Sequence, residues 1–129
     1  MSAWDAYITN MKARGLQICG IFGLDGSVWA KATELQATQQ EIVNIVNGIK
    51  TNNFANGIYL NGIKYTLIGC GTGYATAKCR TAQNDAEKYL LHAAMGKTCL
   101  VLGGISGAGE RSATKFVEDI RDYLANSGY

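Results

Sequence analysis

Proline, the residue that most strongly interrupts helices and strands, is absent from this 129-residue sequence. Any recognition based on proline must therefore use prolines that a partner supplies. No apolar run approaches the roughly 20 residues that a membrane helix needs. The first residues also lack the basic and then apolar pattern of a secretory signal. We therefore expect a cytoplasmic protein.

The small net charge and the spacing of the cysteines argue against several classes of function. The net charge is only +2, which by itself does not indicate a protein that binds nucleic acid. The four cysteines form no Cys-x-x-Cys pair, so their spacing does not favour a zinc or thioredoxin-like site. We expect no metal and no cofactor. In a cytoplasmic chain we expect reduced and mostly buried cysteines: Cys19, Cys70, Cys79 and Cys99.

The sequence offers few candidates for catalysis. His92 is the only histidine and lies in a predicted strand of alternating apolar residues. Residues 103–109 are rich in glycine, but they match neither common phosphate-binding pattern. We interpret them as a flexible connection; a small enzyme that acts on a phosphate substrate there is a weaker hypothesis. With no Ser-His-Asp set and no group of carboxylates, we expect a protein that is not an enzyme.

What is present begins with a hairpin in residues 18–30. Two short apolar segments flank the sequence Gly-Leu-Asp-Gly, and Asp-Gly tolerates the positive φ that such a turn requires. Apolar residues at helical spacing predict a helix at about residues 3–14, with Ser2 as its cap. The same spacing predicts a final helix at about residues 112–126.

The middle of the chain changes from helical to strand spacing. Thr38 and Glu41 form a capping-box pattern before a helix that should end at residues 51–53. Asn61-Gly62 is a strong hairpin signal. The expected strands cover residues 58–60, 63–70, 74–80, 88–95 and 98–102. This order predicts one α+β domain, residues 1–129, with helices on the faces of a single antiparallel sheet.

Large amphipathic rings are concentrated near the two chain ends. Trp4 and Tyr7 lie one turn apart on the first helix, and Tyr123 and Tyr129 lie in or just after the last one. Together with Trp29, these rings either fill the core between the helices or line a groove. Aromatic grooves bind polyproline II segments, whose preformed helix costs little entropy to dock. The residues alone leave both interpretations open.

Basic residues are frequent in the second half of the chain. Lys78 and Arg80 lie two residues apart in an expected strand, so they should share one face. Lys64 and Lys115 are further cations in this half. These residues form either a solvated surface or a docking surface for an acidic partner or an anionic lipid.

Three segments resemble one family, the profilins, which are small actin-monomer-binding proteins. Residues 4–8 (Trp-Asp-Ala-Tyr-Ile) resemble the opening helix of the family, and residues 21–30 resemble its first hairpin, which ends in Ser-Val-Trp-Ala. Residues 116–124 resemble its C-terminal helix. The resemblance implies a central antiparallel sheet with the N- and C-terminal helices on one face and shorter helices on the other.

The resemblance also implies a function. A profilin-like monomer would bind monomeric actin, regulate its polymerisation and link it, through a separate face, to proline-rich filament-elongation factors at the cytoskeleton and cell cortex. The implied polyproline-binding residues are Trp4, Tyr7, Trp29, Tyr123 and Tyr129. The implied actin-binding residues are Lys64, Lys78, Arg80, Lys115 and Glu118, and Lys78 and Arg80 would also bind phosphoinositide headgroups.

The chain also differs from the family pattern in places, and one alternative hypothesis stays open. The chain departs from the family pattern at Gly69 and in residues 81–87 and 103–110, all on the expected actin side. The alternative is a roadblock-like scaffold module, which shares a Leu-Asp-Gly-type first hairpin and acts by forming homodimers. The oligomeric state would distinguish the two hypotheses.

Overall fold

The structure is a computed structural model that describes residues 4–32, 35, 37–54, 58–60, 63–71, 73–78, 90–105 and 110–129. The described residues form three helices and seven strands in the order that the sequence predicts. The helices are α1 (Asp5–Ala13), α2 (Gln39–Thr51) and α3 (Glu110–Asn126). The strands are β1 (Ile18–Gly23), β2 (Val28–Lys31), β3 (Ile58–Leu60), β4 (Ile63–Gly71), β5 (Tyr74–Lys78), β6 (Leu90–Met95) and β7 (Cys99–Ile105).

The seven strands form one antiparallel sheet in the order β2-β1-β7-β6-β5-β4-β3. Neighbours in this order are also neighbours in the chain, except where β1 pairs with β7. That pairing runs from Ile18 opposite Gly104 to Gly23 opposite Cys99. It joins the first hairpin to the later meander, so β2 and β3 lie at opposite ends of the sheet.

Alternation of side chains along the strands gives the sheet two apolar sides. Helix α2 covers one side with a stripe that includes Ile42, Ile45 and Ile49. Helices α1 and α3 cover the other, where Met11 and Val117 are fully buried. Helix α1 packs on β1 and β2, and α3 packs on β6 and β7. The predicted fold class is therefore confirmed, with the two terminal helices on one face of the sheet.

The predicted flexible connection at residues 103–109 is wrong for its first part. Strand β7 continues to Ile105, and α3 begins at Glu110. A Cβ atom added to Gly103 would lie 2.5 Å from Cγ2 of Val117, so glycine there allows α3 to pack closely on the sheet. Residues 106–109 lie outside the described part of the chain.

The helix-start signals are confirmed for α2 and shifted for α1. The Thr38 hydroxyl accepts a hydrogen bond from the Glu41 N–H (3.1 Å), and the Thr38 N–H donates to the Glu41 carboxylate (2.9 Å). This is the predicted capping box. Helix α1 begins at Asp5, with Trp4 at the N-cap position and no side-chain cap. The proposed cap, Ser2, is outside the described residues.

Candidate functional site

Five aromatic side chains meet where α1, β2 and α3 converge. We call them the aromatic cluster: Trp4, Tyr7, Trp29, Tyr123 and Tyr129. Trp4 is central, because its ring centroid lies 5.0 Å from that of Trp29, 4.9 Å from Tyr129 and 5.8 Å from Tyr7. Tyr7 extends the cluster to Tyr123, at 6.1 Å. The structure therefore brings together all five aromatic residues that the sequence singles out.

A β-bulge directs Trp29 toward the terminal helices. In the β1–β2 pairing Ile21 lies opposite Ala30, whereas Phe22 lies opposite Val28, so Trp29 is the extra residue. Regular alternation would place Trp29 on the side opposite to Ala30. Instead, Trp29 packs against the same apolar layer as Ala30, beneath α1 and α3. The bulge therefore adds an indole to the cluster.

The hairpin turn next to the bulge is held by its own side chains. The Asp25 carboxylate accepts hydrogen bonds from the hydroxyl (2.7 Å) and the N–H (3.0 Å) of Ser27. Both hydrogen bonds lower the pKa of Asp25, and the bond from the hydroxyl has the larger effect. Gly26 has a φ of +88°, as the predicted turn requires.

Backbone contacts fix the position of Tyr129. Its N–H donates to the carbonyl of Leu124 (2.8 Å), and its carbonyl accepts from the N–H of Thr98 (2.7 Å). Gly96 leaves the room for this approach, because a Cβ there would lie 2.9 Å from the Tyr129 carbonyl oxygen. The Tyr129 ring therefore stands edge-on to Trp4 and Trp29, at interplanar angles of 84° and 79°.

The aromatic cluster is a surface as well as a packing element. Tyr123 is 59% and Tyr129 41% exposed, while Trp4, Tyr7 and Trp29 are half-buried. Burial raises the pKa of Tyr7, and the neighbouring Tyr123 raises it by a smaller amount. The Tyr7 hydroxyl is therefore protonated at neutral pH, and it is hydrogen-bonded to the side chain of Tyr123. The rings hold the terminal helices together and also offer apolar faces with polar edges to the solvent.

The opposite end of the sheet presents side chains on the same side as α1 and α3. We call this surface the open sheet face; its residues are Tyr59, Lys64, Thr66, Ile68, Thr76 and Lys78. Tyr59 pairs with Lys64, and Thr66 pairs with Lys78, so the members of each pair point to one side. Tyr59 is 41% and Ile68 51% exposed. Among the described helices, α3 packs mainly on β6 and β7 and leaves this end accessible.

The basic residues predicted to bind actin are distributed over two elements. Lys64 and Lys78 lie on the open sheet face, in neighbouring strands. Lys115 lies on α3, where its ammonium group is 3.3 Å from the Asp119 carboxylate. Arg80 falls outside the described residues, so the face that it should share with Lys78 stays a prediction.

Glu118 lies where α3 borders the open sheet face. Its carboxylate is 3.7 Å from the Arg121 guanidinium and 3.6 Å from Nε2 of His92 in β6. The aromatic cluster and the open sheet face therefore lie at opposite ends of one side of the sheet, with α3 between them. The described residues predicted for the two binding sites lie apart from each other along this side of the sheet, and their roles in binding stay predictions.

His92 is buried between these two surfaces and is only 1% exposed. Its Nδ1 lies 2.8 Å from the Thr76 hydroxyl, and its ring stacks on Tyr74 at 5.7 Å. Nε2 makes no hydrogen bond with the described residues. Burial, followed by the positive charge of Arg121, lowers the pKa of His92 to about 4. His92 is therefore a neutral core residue at pH 7.

Within the described residues, no three His, Cys, Asp or Glu side chains are arranged so that they could hold a metal ion. Cys19 and Cys99 are buried and Cys70 is half-buried, and none of the three forms a disulfide within the described part of the chain. Burial raises the pKa of the Cys99 thiol to about 11. Cys79 lies outside the described part.

None of the helices that the structure describes combines the length and the apolar character needed to cross a bilayer.

Comparison with known proteins finds similarity to the profilins. The sequence model of the profilins matches residues 2–129. Profilin-P of Physarum polycephalum is 28% identical over 131 residues, which cover 98% of this chain and 99% of that protein. Mouse profilin IIa, solved in complex with a double repeat from the FH1 domain of mDia1, has a TM-score of 0.84 at 21% identity, covering 99% of this chain and 100% of that chain.

Another solved chain shares the fold at a lower sequence identity. A chain of the LokiProfilin2/rabbit actin complex has a TM-score of 0.74 at 16% identity, and the match covers 98% of both chains. The family match extends over nearly the whole sequence, and the solved profilins share the sheet with its three helices. The chain therefore belongs to the profilin family, as its Trp-x-x-Tyr helix and its Ser-Val-Trp-Ala hairpin imply, and not to the roadblock-like modules.

Proposed function

We propose that this protein binds monomeric actin and proline-rich segments at the two ends of its sheet and so regulates actin polymerisation. Membership of the profilin family supports this function. Solved structures of the same fold include a profilin with an FH1 repeat and one in a complex with actin. In this proposal the chain acts as a monomeric single domain, a binding protein rather than an enzyme, in the cytoplasm at the cytoskeleton and cell cortex.

The aromatic cluster is the observation that carries the proposal. A polyproline II helix has no internal hydrogen bonds, so its carbonyl groups are available to the indole N–H and phenol groups of a partner. Its apolar rings pack on exposed aromatic faces. The five rings already support one another at centroid distances of 4.9–6.1 Å, so little side-chain entropy is lost on binding.

Intrinsic fluorescence tests this site directly. Trp4 and Trp29 are the only two tryptophans, and both belong to the aromatic cluster. Titration with poly-L-proline should therefore give a saturable change in the whole tryptophan signal. Tyr123→Ala should weaken the binding, because it removes the most exposed ring of the cluster.

Tyr59→Ala is the matched control, since Tyr59 is an exposed tyrosine at the other end of the sheet. It should bind poly-L-proline as the wild type does. A wild-type titration without a fluorescence change, or equal binding by the Tyr123 variant and the wild type, would contradict the proposed site.

The open sheet face is the proposed actin site. Exposed apolar side chains on this face, Tyr59 and Ile68, with cations beside them are typical of a surface that binds an acidic protein. Lys64 and Lys78 supply charge on the strands. Lys115, Glu118 and Arg80 complete the proposed set from the sequence. We also propose that phosphoinositide headgroups compete with actin at Lys78 and Arg80.

Charge reversal separates the two proposed activities. Lys78→Glu should weaken binding to monomeric actin by roughly tenfold, since it places a carboxylate against an acidic partner. Its affinity for poly-L-proline should not change. Lys50→Glu, at an exposed lysine of α2 on the other side of the sheet, is the control. Equal losses in both variants would show that net charge, and not the open sheet face, determines the affinity for actin.

A further inference from the structure

The aromatic cluster continues into a pocket at the end formed by Tyr7 and Tyr123. The pocket has a volume of about 400 Å³ and lies between α1 and α3. We call it the helix pocket; besides the two tyrosines, its lining is Asn10, Arg14, Asp119 and Ile120. A ligand that lies along the rings therefore meets two charged side chains where the rings end.

Arg14 is the cation of this pocket, and an aromatic ring fixes its position. The guanidinium carbon lies 5.2 Å from the centroid of the Phe116 ring. A cation at this distance is attracted to the face of the ring, and its guanidinium can still donate two parallel hydrogen bonds to a carboxylate. Among the described residues, no carboxylate lies within ion-pair distance of Arg14.

Asp119, the carboxylate of the pocket, already has a partner. It lies 3.3 Å from the Lys115 ammonium group, one turn away on α3. The charge of Asp119 is thereby balanced within its own helix, whereas Arg14 lies over a ring and, within the part of the chain whose side chains are described, has no carboxylate at ion-pair distance. The helix pocket therefore favours an anionic group of a ligand.

We propose that the helix pocket makes this protein prefer proline-rich segments that carry an aspartate or glutamate beside the proline run, with the acid bound by Arg14. This inference rests on the proposed binding of proline at the aromatic cluster. Tyr7 and Arg14 are seven residues apart, about 10 Å along α1. A polyproline II helix covers that distance in about three residues. The acid therefore belongs about three residues beyond the proline that contacts Tyr7.

Two matched peptide pairs test the preference. Each pair has a capped proline decamer extended by Glu or by Gln, at the N-terminus in one pair and at the C-terminus in the other. Tryptophan fluorescence measures all affinities. In one of the two pairs, the Glu peptide should bind about three- to fivefold more tightly than the Gln peptide. This is the gain expected from one exposed ion pair. The ratio should fall to about one in Arg14→Gln, and it should persist in Lys50→Gln, which removes the same charge from α2.

The outcomes separate this inference from the proposed function. If the plain decamer does not bind, both fail. If the decamer binds but the Glu and Gln peptides have equal affinity for the wild type, the preference is wrong and the proline site stands. If Arg14→Gln keeps the preference, the anion lies elsewhere and the helix pocket is not its site.

Discussion

The two ends of the sheet are organised by different interactions. In the aromatic cluster, side chains from α1, β2 and α3 contact one another, and Trp4 alone touches three rings. On the open sheet face, by contrast, strand register determines the neighbours, as where Tyr59 lies opposite Lys64. The first surface depends on packing between distant segments, and the second depends on local alternation.

This difference has a consequence for binding. A preformed cluster of rings suits a narrow, rigid ligand, because neither partner has to be ordered on association. A broad face of separate side chains suits a large protein partner, to which many residues contribute a little each. We therefore expect single substitutions to have large effects on the first surface and small effects on the second.

Trp4→Ala should produce the largest effect. It removes the ring that connects Tyr7, Trp29 and Tyr129, so affinity for poly-L-proline should fall roughly a hundredfold or more, about 3 kcal/mol. Binding to actin should be retained. Calorimetric titrations with poly-L-proline and with actin monomers measure both affinities.

Trp4→Phe is the matched variant, since it keeps an aromatic ring and much of the packing. Circular dichroism of both variants shows whether the fold survives. A folded Trp4→Ala variant with nearly normal affinity for poly-L-proline would mean that the five rings act separately, and the contrast between the two surfaces would be lost.

The sequence was sufficient to predict the helical part of the aromatic cluster. Trp4 and Tyr7 are three residues apart, and that spacing alone puts them on one side of a helix. The sequence could not show the direction of Trp29, because strand alternation places it on the wrong side of the sheet and only the bulge against β1 corrects this. The residues also give no local signal for the bulge.

The error at Gly103 has a related cause. Consecutive glycines are typical of loops, so a flexible connection was predicted from residue 103 onward. In the structure, the reason for glycine is the close approach of Val117 from α3, a contact between segments that pair only in the folded protein. The sequence predicted a strand at His92, but it could not show the contacts of His92 with Thr76 and Glu118, which depend on strand register and on helix placement.

The effect of pH on stability tests the burial of His92, which lies between the two ends of the sheet. Its pKa is lowered to about 4 in the folded protein, below the 6.5 of an ordinary histidine. The unfolded chain therefore takes up a proton first as the pH falls. The contribution of neutral His92 to stability is therefore complete above pH 6.5, and it is lost as the pH falls from 6.5 to 4. The free energy of unfolding should fall by up to about 3 kcal/mol across that range.

Urea unfolding at several pH values measures this dependence. His92→Gln keeps a side chain that can bond to Thr76 but removes the titration, so its stability should vary much less between pH 6.5 and pH 4. The difference between the two proteins isolates the contribution of His92 and its contacts, including that with Glu118. Equal pH dependence of the two proteins would show that His92 is accessible to protons in the folded state.

Alanine at two glycines compares the packing beneath α3 with the packing on the open end of the sheet. Gly103→Ala should lower the free energy of unfolding by about 1–3 kcal/mol, because the new Cβ would lie 2.5 Å from the fully buried Val117. Gly69→Ala, on β4, should change it by less than about 0.5 kcal/mol, since no atom lies within 4 Å of that Cβ. Urea denaturation measures both; similar losses would refute the difference in packing.

The smallest effect is expected at Lys64 on the open sheet face. Lys64→Gln should weaken actin binding by less than about 1 kcal/mol, because an exposed ion pair gains little in water. The difference should shrink further at high salt, where exposed charges are screened. Lys50→Gln, which removes the same charge from α2, should bind actin as the wild type does. A loss at Lys64 as large as the loss of proline binding in Trp4→Ala would mean that this face also depends on one central residue. The contrast drawn between the two ends of the sheet would then be wrong.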